Sequence, residues 1–252
     1  SELKIWSECS WRHKLEYVEG LNPFKGNEHT SFGKALHAVS EKFVPNHKAQ
    51  DPEAYFENEF LNELKDLKRK DSDLILDAKL IQEMRIQGTK LAPQIVPSLK
   101  DHFGEYNLVS VEEKLYESLE KNNKKFKGFI DLVLEKNGIY HVIDWKTCSW
   151  GWNSKKKQDR ILTYQLTLYK HFFAKKHNID AKNIKTHFAL LKRTAKTNQV
   201  EIFEVKSGPK KTENALNLLN TALYNIENKR FIKNKLSCLY CPFSDNSTLC
   251  KR

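Results

Sequence analysis

Two short apolar runs, each carrying a carboxylate, dominate the hydropathy pattern of the chain. Gly128-Phe129-Ile130-Asp131-Leu132-Val133-Leu134 and Tyr140-His141-Val142-Ile143-Asp144-Trp145-Lys146 are rich in β-branched and large apolar residues and are bounded by turn residues, which predicts two strands. The Lys136-Asn137-Gly138 segment between them predicts an antiparallel hairpin. Asp131 and Asp144 then lie near each other, and Lys146, two residues on, faces the same side as Asp144. Two carboxylates and an ammonium at one sheet end can hold a divalent cation and activate a water.

The other patterns are helical or extended. Before the hairpin, residues 2 to 18 carry apolar positions at irregular helical spacing. Thr30 to Phe43 predicts a helix with Phe32, Leu36, Val39 and Phe43 on one face and His37 beside it. From about 50 to 103 the pattern is charged and helical. Asp51 and Pro52 occupy N-cap and first-turn positions, and Asp71-Ser72-Asp73 breaks this stretch before a second helix holding Leu74, Ile75, Leu76, Leu80, Ile81, Met84 and Ile86. Leu108 to Tyr116 predicts a strand that brings Glu113, or Glu112 beside it, toward the hairpin. After the hairpin come a helix over about 159–176, strands over 185–191 and 200–205, and an amphipathic helix over about 212–228. No internal repeat or low-complexity linker interrupts the series, so one domain over 1–252 is the simpler reading.

Charge narrows the partner. The chain of 252 residues has 43 Lys+Arg against 32 Asp+Glu, a formal net charge of +11. Much of the surplus is clustered at Lys121, Lys124, Lys125 and Lys127, at Lys155, Lys156, Lys157 and Arg160, and at Lys192, Arg193 and Lys196. Clustered cations near aromatic residues are the footprint of a polyanion binder, although a lysine-rich composition alone gives a soluble surface of the same kind. No run of about 18 apolar residues exists to span a membrane. The N-terminus lacks the shape of a secretion signal, so the expectation is a cytoplasmic protein.

Five cysteines are present, three of them as Cys238-x-x-Cys241 and Cys250. That spacing suits a metal or cluster, with Cys9 from the other end as the natural fourth ligand and Cys148 left over as an incidental thiol. Spacing alone does not separate a tetrahedral zinc from an iron–sulfur cluster. Either would clasp the ends of the chain over 238–250.

Asp-x-Lys alone is common by chance in a chain this charged. The ordered series Gly128-x-x-Asp131, Ile143-Asp144-Trp145-Lys146-Thr147 and Gln165-x-x-x-Tyr169 resembles the PD-(D/E)xK nuclease superfamily. Within it, His37 in Gly33-Lys34-Ala35-Leu36-His37 resembles the early histidine of the RecB-type branch. The Cys9, Cys238, Cys241 and Cys250 pattern is similar to its iron–sulfur members, the AddB-type nuclease domains and cluster-bearing CRISPR adaptation nucleases. The resemblance implies an α/β fold, a restriction-endonuclease-like mixed β-sheet core flanked by helices. It would carry a helical insertion and a terminal cysteine staple. It implies His37, Asp131, Asp144 and the Trp145 carbonyl as ligands to Mg²⁺ or Mn²⁺, and Lys146 as the catalytic lysine. Gln165 and Tyr169 would brace the site, with Glu113 a further site carboxylate. The four cysteines would hold a [4Fe-4S] cluster, with Zn²⁺ the alternative. The activity implied is a deoxyribonuclease, an exonuclease on single-stranded DNA ends. Trp150, Trp152 and Lys155, Lys156, Lys157 and Arg160 would contact the strand, and a helicase or recombination partner could load it. A non-catalytic DNA-binding module closed by a four-cysteine zinc or cluster site is the alternative.

Overall fold

The computed structural model describes residues 2–21, 24–46, 50–119, 124–244, 246 and 248–250. Lys121 of the first cationic cluster lies outside them. Two short helices, α1 (Glu2–Glu8) and α2 (Ser10–His13), flank Cys9 and lead into a π-turn at Lys14–Val18. The helix predicted around His37 is α3 (Glu28–Phe43), which starts at Asn27 because the Asn27 side chain accepts from Thr30 N–H while the Thr30 hydroxyl accepts from Asn27 N–H.

Three more helices fill the charged stretch: α4 (Pro52–Lys70), α5 (Ala78–Leu91) and α6 (Ile95–Phe103). Asp51 caps α4 with its side chain accepting from Ala54 N–H. The second helix of this region begins four residues later than Leu74, because Asp77 caps it by accepting from Leu80 N–H. Ile75 is left 92% exposed, so the apolar triplet at 74–76 is loop rather than helix. At the α4–α5 crossing, a Cβ on Gly88 would lie 2.0 Å from the Phe56 ring; glycine is what lets the two helices approach so closely.

The sheet has five strands in the order β1 (Asn107–Ser118), β2 (Lys125–Lys136), β3 (Ile139–Cys148), β4 (Ile184–Lys192) and β5 (Val200–Glu204). All neighbours are antiparallel except β3 and β4, which are parallel. Parallel neighbours need a crossover, and here it carries the short helix α7 (Ser154–Lys157) and α8 (Arg160–His177). The β2–β3 turn is the predicted two-residue one: Asn137 and Gly138 have φ of 51° and 78°, the positive pair that a tight hairpin demands. Helix α9 (Pro209–Glu227) follows β5, and a 3-10 turn at Lys235–Tyr240 carries Cys238.

Each sheet face has its own helical layer. Ile143, Trp145, Leu132 and Leu134 pack with Phe32, Phe56 and Phe60 of α3 and α4. Val133, Val142 and Phe188 pack with Leu166, Phe172 and Phe173 of α8. The alternation is broken beside Asp131. Val111 and Leu132 belong to the first layer, whereas Leu115 and Ile130 belong to the second. Leu132 and Ile130 are two residues apart and would share a face in a regular strand. The exchange falls at Glu112, which adopts φ 50°, a left-handed conformation uncommon outside glycine.

Two histidines lie at the other end of β3 and β4. His141 Nδ1 is 3.0 Å from His187 Nε2, and Phe103 packs against both rings. Burial, then Lys185 and His102, lowers the His141 pKa to about 4, with Glu204 opposing and Lys136 adding. Burial, then His141, His102 and Lys185, takes His187 to about 3. Both folded values lie below the unfolded value of about 6.5, so this contribution to stability is complete above that pH and is lost as pH falls toward the folded values. His187, only 3% exposed, should cost up to about 1.4 kcal/mol per pH unit in that window. Thermal melts are expected to fall between pH 7 and pH 5 and to flatten in His187→Gln; equal slopes in both proteins would contradict the assignment.

Candidate active site

The β2–β3 ladder runs from Lys136–Ile139 to Leu132–Ile143 and stops one step before Asp131 and Asp144. Instead of continuing, Trp145 N–H donates to Asp131 Oδ2 at 2.6 Å. The strands part where the carboxylates sit, which opens the sheet for a third group. His37 of α3 enters there, with Nδ1 3.7 Å from Asp131 Oδ1 and its ring beside the backbone of Trp145. One ligand atom each from His37, Glu112 and Asp131 lies within 4.8 Å of the others.

Asp144 is only 2% exposed, and a buried carboxylate needs partners. It has two: Lys146 Nζ lies 2.6 Å from Oδ2, and Gln165 Nε2 donates to Oδ1 at 3.0 Å. Gln165 Nε2 also donates to the Tyr169 hydroxyl at 3.0 Å, so the two residues one turn apart on α8 act as a brace. Gly128 of the upstream motif serves the same brace. A Cβ there would lie 2.7 Å from Tyr169 Cε1, and any side chain would push the tyrosine ring away.

Crowding sets the protonation states. Burial first, then the Asp144 charge, raises Asp131 well above the usual carboxylate range, with Lys146 opposing. Burial, Glu41 and Asp144 raise Glu112. Burial lowers the His37 pKa, which keeps the imidazole neutral and able to ligate. Burial also works against the Lys146 ammonium, but Asp144 and Asp131 more than offset it and the pKa rises. Raised carboxylates around one point are what a divalent cation relieves.

The expected Glu113 is a correction. Its carboxylate faces α8, accepting from Lys176 Nζ at 2.7 Å and lying 2.8 Å from His177 Nε2. The face exchange at Glu112 turns Glu113 to the far layer and leaves Glu112 at the site. Strand alternation cannot reveal a left-handed residue inside a strand, so no signal in the sequence separates the two.

A family model described as the PD-(D/E)XK nuclease superfamily matches residues 1–246. The chain belongs to that superfamily. No curated protein matches the chain. Among solved structures, a candidate exonuclease from Eubacterium rectale superposes with a TM-score of 0.53 at 13% identity, over 99% of this chain and 88% of that one. The protein SSO0001 matches at 17% identity over 90% of this chain and 98% of that one, with a TM-score of 0.39. The first likeness supports the fold: a mixed five-stranded sheet flanked by helices, as expected for PD-(D/E)XK proteins.

The predicted strand-contacting residues divide. Trp150 is 76% exposed, and Lys155 and Arg160 are exposed as well. Trp152 instead packs against Phe188 and Phe203 with Lys156 over its ring at 4.9 Å, so it is part of the core layer. Lys157 pairs with Glu201. Lys192 is buried against the same Glu201, 3.2 Å away, so these two cations hold the end of β5.

Cys9, Cys238, Cys241 and Cys250 line one cavity of about 20 Å³, together with Arg12, Lys233 and Lys235. Asn234 N–H donates to Cys9 Sγ at 3.4 Å. Burial raises the Cys241 thiol pKa, and the neighbouring Cys9 and Cys238 raise it further. None of the four is in a disulfide. Cys148 stands apart on β3, its thiol pKa raised by burial, with no ligand set around it among the described residues. No helix among the described residues is long and apolar enough to cross a membrane.

Proposed function

We propose that this PD-(D/E)XK protein is a metal-dependent deoxyribonuclease of the RecB type, hydrolysing phosphodiesters at single-stranded DNA ends. The observation that carries the reading is the convergence of His37, Glu112 and Asp131 within 4.8 Å beside the Asp144–Lys146 pair. An imidazole and hard carboxylate oxygens fit Mg²⁺ or Mn²⁺. Such an ion would supply Lewis acidity to the phosphoryl oxygens and lower the pKa of a bound water. His37, Glu112 and Asp131 would hold it, with Asp144 and the Trp145 carbonyl completing the set.

The protein's own groups do the rest. Asp144 holds Lys146 beside the parted strands as an ammonium, aimed where charge builds on the phosphate under attack. Gln165 fixes Asp144, and Tyr169 fixes Gln165. The products are a 5′-phosphate and a 3′-hydroxyl. Trp150, Lys155 and Arg160 supply stacking and backbone contacts to the incoming strand. The four cysteines, with nearby Arg12 and Lys233 to balance thiolate charge, fit a [4Fe-4S] cluster that joins the first and last segments of the fold; Zn²⁺ is the competing occupant. A helicase or recombination partner would deliver the end.

The test uses end-labelled single- and double-stranded DNA and RNA with Mg²⁺, Mn²⁺ or EDTA. Metal-dependent loss of label from single-stranded DNA is expected, and no cleavage of any substrate would overturn the reading. The cysteine site has its own check. Anaerobically purified protein should be brown, with absorbance near about 400 nm and iron and sulfide in equal amounts; a colourless protein with one zinc would contradict the cluster.

A further inference from the structure

A cavity of about 210 Å³ opens between α1, α8, α9 and the start of β2, with Trp6, Phe126, Tyr164, Leu168 and Leu219 in its walls. It abuts the active site, because Gln165 and Tyr169 line it too. Trp6 and His13 line it as well. His13 is 1% exposed, and its Nε2 lies 2.8 Å from Glu2 Oε1. The carboxylate only accepts, so Nε2 carries the proton that joins His13 to Glu2. An aromatic slot of this size matches one flat ring system.

The rim points to the same class of occupant. Lys125 and Lys127 line the cavity and alternate along β2 with Phe129, two residues before Asp131. That alternation sets the two cations and a ring in a row about 6.6 Å apart, leading toward Asp131. Lys127 Nζ is 5.7 Å from the Phe129 ring centroid. Phosphates following this row away from Asp131 would carry a base to the cavity mouth.

We propose that this pocket receives the unpaired terminal base of the strand being cut, which makes an unpaired end the preferred substrate. The proposal rests on the nuclease reading for its consequence, but the binding itself can be measured without cleavage. Oligonucleotides carrying 2-aminopurine at the 5′ end, the 3′ end or an internal position are bound to the wild-type protein in EDTA. Quenching by the aromatic walls is expected at one end and not internally. Ala222→Phe, at a buried position lining the cavity, should abolish that quenching with its melting temperature unchanged. No terminal quenching in the wild type, or quenching kept in a folded Ala222→Phe, would overturn the proposal whether or not the protein is a nuclease. In cleavage, an abasic terminal residue should lower kcat/KM at least about fivefold, the lower range for losing one stacked base. Equal rates on both ends would count against the pocket while leaving the nuclease reading intact.

Discussion

Lys146→Met is expected to lower single-turnover cleavage about 10²–10³-fold, the range for removing one preorganised charge-stabilising group, with DNA binding largely kept. It should also destabilise the fold. Asp144 is 2% exposed and Lys146 is its one cationic contact among the described residues, at 2.6 Å, so the substitution leaves a buried carboxylate unneutralised. Breaking such a pair from one side costs about 3 kcal/mol or more. Asp144→Asn combined with Lys146→Met removes both charges, and Gln165 can still donate to the amide oxygen. The double variant should therefore regain most of the stability and none of the activity. That split separates the loss of activity from the loss of stability. A Lys146→Met protein that cleaves within tenfold of the wild type would sink the assignment.

The second large effect concerns the cation. Mg²⁺ or Mn²⁺ at about 100 times its Kd should stabilise the protein by about 2.7 kcal/mol, a rise of roughly 5–10 °C in Tm for a chain of this size. Asp131→Asn should abolish the rise. Its metal-free Tm should equal or exceed that of the wild type, since burial and Asp144 already disfavour the Asp131 charge and an amide oxygen can still accept from Trp145 N–H. Glu112→Gln should shrink the metal effect, and Glu113→Gln should leave it alone. Calorimetric scans with and without Mn²⁺ decide; a Glu113 variant that loses the shift while the Glu112 variant keeps it would reverse the placement of the two glutamates.

That pair of glutamates also marks where sequence reading stops. The hairpin was legible because Asn137-Gly138 supplies two residues that tolerate positive φ, and the apolar runs around it have strand length. The cap made Asp51 readable, its side chain accepting from Ala54 N–H three residues on. Glu112 was not resolved from Glu113, since period-two alternation holds only while φ stays negative. The apolar triplet Leu74-Ile75-Leu76 misleads in the same way: its composition is helical, but the Asp77 cap decides where α5 begins. Trp152 was placed on a DNA surface by its neighbours in sequence, the lysines, whereas its neighbours in space are Phe188 and Phe203. Residue type gave the chemistry of the site, and burial, invisible in a single sequence, decided which copies of each type take part.

The join between the first and last segments has a mechanical consequence. Trp11 N–H donates to the Ile232 carbonyl at 3.2 Å, Ile232 N–H donates to Ser10 Oγ at 2.8 Å, and Asn234 Nδ2 donates to the Glu8 carbonyl at 2.7 Å. Tension applied between these two segments loads those bonds, and any metal held by Cys9 and its three partners, before it reaches a sheet strand. The sheet that carries Asp131 and Asp144 is shielded from pulling on the chain for as long as that lock holds.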